Sequence, residues 1–561
     1  MGALASPMSY TPKLITELRF YSKEKALADL LAGITVGVVA LPLAMAFAIA
    51  SGLSPERGLF TAIVAGFLIS ALGGSKVQIG GPTGAFVILV SSITERFGYS
   101  GLATATFMAG ILLMLFGAFK FGGLIKFIPF PVTTGFTSGI AVVILSTQVC
   151  DFLGLKVSSV PSEFIEKWNT YLQNITSFNG QATSVGCATI LLIIILRSKW
   201  PKLPAMLIAM LSMTLACSLL HLNIETIGTR FGDLPRVLPS PTLPELSLDQ
   251  VKELFKPALT IALLAAIESL LSATVADGMT GGRHRPNVEL IAQGAANIAS
   301  VIFGGIPATG AIARTATNVK SGARTPVAGM IHAVVLSLLL LLFASYAKLI
   351  PLATLAGILI VISYNMSEPH HFYSILKGPK SDSFVLILTF LLTILVDLTL
   401  AVECGVVVAS LLFIKRMSEI TNIGIITKEL RGDEDIQESK HSISLRQVPD
   451  GVEVFEVNGP FFFGVIDTFR NSMRLIEKRP RVLIIRTRNV TAVDATAIHV
   501  LRELHRQCKR ENTLLLFSGV QPQPRLVFEK SGFLEEVGRE NFLANIDESL
   551  NRAKTFMELP G

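Results

Sequence analysis

The feature that most constrains the fold is a series of long apolar segments between about residues 29 and 416. About 20 apolar helical residues are needed to cross the roughly 30 Å hydrocarbon core of a bilayer. Twelve segments approach this length, and two more, near 83–95 and 311–321, are too short to cross alone. Each short segment begins with a glycine- and proline-rich stretch. These patterns predict a polytopic α-helical membrane protein.

The C-terminal part of the chain has a different composition. Charged residues make up 16% of the chain, below the roughly 25% of an average soluble protein, yet they become dense after Lys415. Three short strand-like runs and one helical run are present here: Val452–Val457, Arg481–Arg486, Thr513–Phe517 and Ala497–Lys509. This mixture is typical of a small α/β domain. We expect it to occupy 441–561, after a polar linker at 417–440.

The basic residues indicate how many times the chain crosses the membrane. With both short segments counted there are fourteen passes, and most basic clusters then lie on the same side as Lys23 and Lys25. These clusters are Lys120 with Lys126, Arg197 with Lys199 and Lys202, Arg283 with Arg285, Lys320 with Arg324, Lys377 with Lys380, and Lys415 with Arg416. Because basic residues are enriched in cytoplasmic loops, both termini are predicted to be cytoplasmic. The net charge of +7 therefore needs no nucleic-acid partner.

The two short segments belong to a faint internal repeat. Thr83-Gly84-Ala85-Phe86 and Thr309-Gly310-Ala311-Ile312 lie 226 residues apart (309 − 83), and the same shift aligns the starts of the first and eighth spans. Seven passes is an odd number, so two copies in series have opposite orientations. We therefore predict an N-terminal segment at 1–28, then inverted repeats at 29–222 and 255–416. Interrupted helices at matching positions of such repeats mark the binding site of secondary transporters.

The glycine-rich openings of the short segments are candidate anion-binding elements. The N-terminus of a half-helix presents unpaired N–H groups and the positive end of the helix dipole. The candidate residues are Thr83, Gly84, Ala85 and Phe86, together with Gly310, Ala311, Ile312, Ala313 and Arg314. The guanidinium of Arg314 would add a fixed positive charge, or would pair with an acid such as Glu268. The alternative is that both turns serve only close helix packing.

Glu268 lies deep within an otherwise apolar span. A lone carboxylate at that depth costs about 2.5–3.5 kcal/mol on insertion scales, so it is expected to face a cavity. Since removal from water favours the neutral form of a carboxyl, Glu268 is a candidate proton carrier. The alternative is a neutral carboxyl hydrogen-bonded in the core. Asp29, Asp397 and Glu403 lie near the ends of spans, where solvation at the membrane surface is the expected role.

Motifs for chemical catalysis are missing from the sequence. There is no Walker A lysine motif, nucleophile elbow or HExxH. The five cysteines show no metal-ligand spacing, and His332 is alone in an apolar span. We therefore expect no catalytic residues, no metal and no cofactor, and the protein is not predicted to be an enzyme.

Five stretches resemble the sulfate permease (SulP) family, and the tail resembles the STAS domain of that family. The stretches are LPLAMAFAIASGLSPERGLFTA from Leu41, GGPTGAF from Gly80, GFTSGI from Gly135, AIESLLSATVADGMTGGRHRPNVELIAQGAANI from Ala266 and GGIPATGAIARTATNVKSGARTP from Gly304. The resemblance is nearest to the bacterial DauA-type branch, which is associated with proton-linked uptake of C4-dicarboxylates. Other branches carry sulfate or bicarbonate.

The resemblance implies core and gate domains, with the anion between the N-termini of the third and tenth helices. It also implies a role for Glu268 in cation coupling, a homodimer in the bacterial inner membrane, and a cytoplasmic protein partner for the STAS domain. Sodium-coupled relatives have a hydroxyl residue where this chain has Ile312, which favours protons over sodium. In the tail, Ala495 occupies the phosphoacceptor position of bacterial STAS regulators, which leaves Thr496 as a weak regulatory candidate.

The predicted function is secondary active transport of a small anion, coupled to protons and working by alternating access. C4-dicarboxylates such as succinate and fumarate are the leading substrates, and sulfate or bicarbonate is the alternative within the family. A nucleobase permease, a membrane sensor that does not transport, and an uncoupled anion channel remain open as other readings of the same pattern.

Overall fold

The computed structural model describes residues 10–123, 129–157, 160–161, 163–200, 203–244, 247–396, 398–425, 448–474 and 480–558. The chain divides into two compact units, Met1–Val407 and Val408–Gly561. Asp397 and most of the predicted linker, including Arg431–Lys440, lie outside the described residues.

The membrane region is helical, and its last helix begins in the first unit and ends in the second. In chain order they are α1 (Lys13–Leu18), α2 (Lys23–Ala50), α3 (Pro55–Leu72), α4 (Val87–Ala118), α5 (Phe130–Leu153), α6 (Phe164–Gln173), α7 (Gly180–Lys199), α8 (Ala205–Leu219), α9 (Ile227–Phe231), α10 (Leu248–Thr280), α11 (Pro286–Ile302), α12 (Ile312–Lys320), α13 (Val327–Ala347), α14 (Leu352–Met366), α15 (Pro369–Leu376), α16 (Lys380–Leu395) and α17 (Leu398–Ile420). Within the described residues, eight helices are long and apolar enough to cross a membrane by length and composition.

The two short segments of the sequence appear in the structure as short helical pieces. The first forms a 3-10 turn at Gly84–Phe86 that leads into α4, and α4 is broken at Gly98, where φ is 67° and ψ is −175°. A right-handed helix cannot continue through that conformation, which glycine adopts without a steric penalty. The break separates the short segment from the next predicted span. The second short segment is α12, which begins at Ile312.

The helices of the first unit form two bundles. The core domain contains α2, α3, α4, α10, α11, α12 and α13, and the gate domain contains α5, α7, α8, α14 and α16. Small residues allow the core helices to approach closely: a Cβ built on Gly33 would lie 2.6 Å from the carbonyl oxygen of Ala328, and one on Gly294 would lie 2.5 Å from that of Gly110. Close van der Waals packing of this kind is what holds helices together in lipid.

A two-stranded ladder joins the two halves of the core domain. β1 (Gly80–Gly81) pairs antiparallel with β2 (Thr309–Gly310), with Gly80 opposite Gly310 and Gly81 opposite Thr309. The Ala311 N–H also donates to the carbonyl oxygen of Ile79 at 2.8 Å. Extended backbone at membrane depth must find its hydrogen bonds within the protein. The ladder satisfies this requirement and brings the two glycine-rich stretches together.

The second unit contains a five-stranded sheet with the order β3-β4-β5-β6-β7. β3 pairs antiparallel with β4, and the other neighbours are parallel. Its strands are β3 (Asn422–Ile425), β4 (Val452–Asn458), β5 (Val482–Asn489), β6 (Leu514–Ser518) and β7 (Phe542–Leu543). Its further helices are α18 (Ile466–Arg474), α19 (Ala495–Arg510), α20 (Pro522–Lys530), α21 (Phe533–Val537) and α22 (Ile546–Glu558). β4, β5 and β6 coincide with the three strand-like runs of the sequence.

Candidate functional site

The two candidate half-helices begin beside the β1–β2 ladder. Thr83 is extended (φ −130°, ψ 159°) immediately before the 3-10 turn, and Ala311 is extended (φ −95°, ψ 106°) immediately before α12. Neither start has a side-chain cap. The N–H groups of the first turns are therefore not taken by capping side chains, which is the condition for an anion to accept them.

The first turn faces the boundary between the core and gate domains. A Cβ built on Gly84 would lie 2.8 Å from Cδ1 of Ile144, 3.3 Å from Cε1 of Phe47 and 3.4 Å from Sδ of Met366. These side chains belong to α5, α2 and α14, so two gate helices close over the turn. On the opposite element Ala313 is exposed although Arg314 beside it is buried. The start of α12 is thus accessible from outside the packed core.

Arg314 is a buried cation with one unused donor group. Its side chain is 3% exposed, and Nη2 donates to the carbonyl oxygen of Pro82. Nη1 has no hydrogen-bond partner among the described residues. Gly81 makes room for it, since a Cβ there would lie 2.7 Å from Nη1. The buried hydroxyl of Thr83 is likewise without a partner in the described chain.

Glu268 lies on α10 and is 6% exposed. Its carboxyl makes neither a hydrogen bond nor an ion pair with the part of the chain that the structure describes, so the sequence-based alternative of a pair with Arg314 is not formed. An ionised carboxylate in this position would have lost its hydration without compensation. Glu268 is therefore a buried acid with no compensating partner among the described residues.

Glu289 shows the opposite arrangement. It is fully buried on α11 and accepts hydrogen bonds from the N–H groups of Gly74 (2.8 Å) and Ser75 (3.2 Å), from Nε2 of Gln293 (3.0 Å) and from Oγ of Ser269 (3.3 Å). Glu289 lies in the first turn of α11 and is a second buried acid, which the sequence analysis did not single out. In the sequence Glu289 follows a basic loop. No sequence signal predicts that the backbone N–H groups of Gly74 and Ser75, which follow α3, donate to its carboxylate.

Asp29 is also a structural acid and not a solvated one. It is 0% exposed, and its Oδ1 accepts from the N–H groups of Arg324 (2.7 Å) and Thr325 (3.0 Å). The expected interfacial solvation is wrong, because the loop before α13 folds over the start of α2 and covers the carboxylate. Asp29 thereby ties the start of α2 to the loop before α13.

Side-chain amides hold the extended segments in position. Oδ1 of Asn297 accepts from the Ala308 N–H at 2.8 Å, and its Nδ2 donates to the Ala308 carbonyl oxygen at 2.9 Å. On the other segment Nδ2 of Asn318 donates to the Val77 carbonyl oxygen at 2.9 Å, and the Ile79 N–H donates to Oγ1 of Thr315 at 3.0 Å. These bonds fix the backbone on both sides of the ladder, which pre-organises the two helix starts.

Thr496 lies in the second unit. It is exposed in the first turn of α19, where Asp494 accepts the Ala497 N–H at 2.8 Å. A phosphate at a helix N-terminus is electrostatically favoured. Among the described residues no group of three or more His, Cys, Asp or Glu side chains is placed to hold a metal ion.

The comparisons with known proteins agree with this architecture. The model of the sulfate permease family matches residues 27–389, and that of the STAS domain matches residues 445–553. "Putative sulfate transporter YvdB" from Bacillus subtilis (strain 168) is 43% identical over 530 residues, which is 94% of this chain and 98% of that protein. "Bicarbonate transporter BicA" from Picosynechococcus sp. is 30% identical over 541 residues, covering 94% of each chain.

Solved structures share the fold. The murine solute carrier 26 family member A9 anion transporter, in its inward-facing state, superimposes with a TM-score of 0.85 at 18% identity, covering 97% of this chain and 94% of that one. The transmembrane domain of a cyanobacterial bicarbonate transporter BicA superimposes with a TM-score of 0.62 at 30% identity, covering 70% of this chain and 100% of that one. The chain therefore belongs to the sulfate permease family: it is a multi-pass membrane anion transporter with a C-terminal STAS domain, and not an enzyme.

Proposed function

We propose that the protein imports a small divalent anion together with protons, by alternating access between the core and gate domains. The anion binds between the turn at Thr83–Phe86 and the residues Gly310–Arg314, which run from the end of β2 into the start of α12. The observation that carries this proposal is the buried guanidinium of Arg314, with Nη1 unpaired, beside two uncapped helix starts at the boundary of the two domains.

An anion in this position completes interactions that the described residues leave open. Nη1 of Arg314 and Oγ1 of Thr83 are buried donors without partners. A buried donor that stays unpaired costs about 1–3 kcal/mol, and more when it is charged. An anion that accepts from these groups and from the backbone N–H groups of both turns recovers that cost. Few side chains take part, so charge and size dominate recognition.

Glu268 is the proposed proton carrier. Its carboxyl lies in the core domain without a hydrogen-bond or ion-pair partner among the described residues, whereas Glu289 is held by four donors. A proton on Glu268 removes a negative charge that would otherwise oppose the anion, so proton and anion favour each other's binding. Sodium is the weaker candidate, because a hard cation needs several oxygen ligands and Ile312 supplies none.

The substrate is proposed to be a dianion, with C4-dicarboxylates and sulfate as the candidates. The sequence resembles the dicarboxylate branch, whereas the names of relatives at 43% and 30% identity refer to sulfate and to bicarbonate. We further propose a homodimer in the bacterial inner membrane with both termini in the cytoplasm, and a cytoplasmic protein partner for the STAS domain.

Uptake by the purified full-length protein in liposomes tests this function. Labelled succinate, fumarate, sulfate, bicarbonate and uracil are offered with and without an inward proton gradient. We expect the gradient to drive uptake of a dianion. Uptake of uracil alone would indicate a nucleobase permease, binding without flux would indicate a sensor, and flux that ignores the gradient would indicate a channel.

Glu268→Gln tests the coupling residue. The variant keeps the size of the side chain but cannot release a proton, so anion uptake should lose its response to the proton gradient. Glu253→Gln is the matched control, because Glu253 is exposed on the same helix. If uptake by Glu268→Gln responded to the gradient as the wild type does, the assignment of Glu268 would be wrong.

A further inference from the structure

His332 is a buried histidine on α13 and is 0% exposed. The backbone of Gly329, one turn earlier on the same helix, is the polar group at its ring, and the described residues do not provide partners for both ring nitrogens. Buried polar side-chain atoms are normally hydrogen-bonded to protein or to ordered water. His332 is therefore a buried polar group whose hydrogen-bonding capacity the described residues do not fill.

The imidazole lies beside Gly66 of α3, which also borders the β1 strand. A Cβ built on Gly66 would lie 3.4 Å from Cε1 of His332 and 3.1 Å from the carbonyl oxygen of Gly80. Ser70 lies one turn further along α3, and its buried hydroxyl is also unpartnered within the described residues. A Cβ on Gly329, one turn before His332, would lie 2.1 Å from that hydroxyl. α3, α13 and β1 thus enclose a small polar region.

Arg314 lies beside Gly81, the second residue of the β1 strand. A Cβ at Gly81 would lie 2.7 Å from Nη1, and the guanidinium acts electrostatically on the His332 ring. The described residues that α2 and α3 place against this part of α13 are uncharged: Gly37 of α2 faces the backbone carbonyl oxygen of His332, Gly66 of α3 faces the ring, and Ser70 of α3 faces Gly329. The nearest acid on α2 is Asp29, which the loop before α13 already holds.

We propose that His332 binds a proton when a dianion binds, so that its imidazolium and the guanidinium of Arg314 together balance the two negative charges. This deepens the proposed function and rests on it. Without an anion the two cations repel one another in a medium where charges are poorly screened. A bound dianion offsets that repulsion, and by linkage the proton then strengthens dianion binding. A monoanion is balanced by Arg314 alone and gains nothing from the second charge.

The test compares wild type with His332→Gln, which keeps a polar side chain that does not titrate in this range. The affinities of the purified full-length protein for sulfate and for fumarate are measured by calorimetry between about pH 8 and about pH 5.5, where both probes are dianions. Each linked proton changes an affinity by at most about tenfold per pH unit. We expect the affinity of the wild type to rise as the pH falls, and the slope to decrease by up to one proton in His332→Gln.

Three further measurements keep the outcomes distinct. His370→Gln, at an exposed position, should keep the slope of the wild type. In Glu268→Gln the dianion affinity should still rise as the pH falls, by the amount that the proton on His332 contributes. The affinity for nitrate, a monoanion, should vary with pH equally in wild type and His332→Gln. Equal dianion slopes in wild type and His332→Gln, with binding retained, would overturn the role of His332 and leave the proposed function intact.

Failure of the proposed function has a different signature, since the wild type would then bind neither dianion. If His332→Gln lowers the Tm so far that binding is lost, proton uptake decides instead. Sulfate is added to weakly buffered wild-type protein and to Glu268→Gln in the presence of a pH indicator. Proton uptake that persists in Glu268→Gln supports a second proton site, and its complete loss contradicts one.

Discussion

Gly81 has no side chain, and the guanidinium of Arg314 occupies the space that a side chain at this position would need. A Cβ at position 81 would lie 2.7 Å from Nη1 of Arg314, closer than a Cβ approaches other heavy atoms, and the backbone of Gly81 has a φ of 145°. Gly81 and Arg314 are more than 200 residues apart in the sequence, and the β1–β2 ladder brings their segments together. The absence of a side chain at Gly81 therefore leaves room for the cation of Arg314.

Gly81→Ala should displace Arg314 and weaken anion binding. The added methyl group collides with the guanidinium and also strains a left-handed backbone. We expect the affinity for the transported anion to fall by at least about tenfold, measured by calorimetry on purified protein. Gly278→Ala is the control, because no heavy atom lies within 4 Å of its added Cβ. Equal affinities in the two variants would contradict this steric account.

Arg314→Gln should weaken anion binding more than Arg314→Lys does. Glutamine removes the positive charge. Lysine keeps the charge but lacks the planar guanidinium, in which Nη2 donates to Pro82 while Nη1 remains available for the anion. A charge-assisted hydrogen bond contributes about 1.5–3 kcal/mol, so roughly a 10- to 100-fold loss is expected for Arg314→Gln. Lys320→Gln, at the exposed end of α12, should bind as the wild type does. Unchanged binding by Arg314→Gln would remove this residue from the site.

Asn297→Ala should destabilise the core domain. The side chain satisfies both the N–H and the carbonyl oxygen of Ala308, and each buried group left unpaired costs about 1–3 kcal/mol. We expect a clear drop in Tm, followed by intrinsic fluorescence or calorimetry. Asn297→Asp should be intermediate at most, since it keeps an acceptor for the N–H. The exposed Asn223→Ala provides the baseline, and a Tm equal to that baseline would show that the two bonds contribute nothing.

Lys167 should make stability depend on pH in the alkaline range. It lies on α6, between the spanning helices α5 and α7, and burial lowers the pKa of its ammonium to about 8, an effect that Glu95 partly offsets. Between that pKa and the unfolded value of about 10.4 the unfolded chain binds more protons, so stability rises with pH. Lys167→Met removes the buried charge.

The variant should therefore have a higher Tm than the wild type near about pH 7, with the difference shrinking toward about pH 10. Thermal unfolding across this range measures both effects. Lys156→Met, at an exposed position in the same connection, should follow the wild type at every pH. A constant difference between Lys167→Met and wild type would show that only packing had changed.

Much of the fold was predictable because apolar length and glycine spacing are local signals. The apolar runs predicted helices where the structure has them, and the short length of 311–321 corresponds to α12, which spans Ile312–Lys320. Of the site, the sequence supplied the two glycine-rich turns and the cation at Arg314. It did not predict that Arg314 donates to Pro82, that Glu268 has no partner among the described residues, or that His332 lies beside Gly66 of α3.

The sequence by itself determined that this is a membrane protein with two short helical segments that follow glycine-rich stretches, because hydropathy and helix-breaking residues act over a few neighbours. Only the tertiary structure decided which buried acids are anchored. Asp29 and Glu289 are held by backbone N–H groups from distant loops, whereas Glu268 is not. It likewise decided that Gly81 and Arg314 occupy one space, since that contact exists only once antiparallel pairing has joined two stretches more than 200 residues apart.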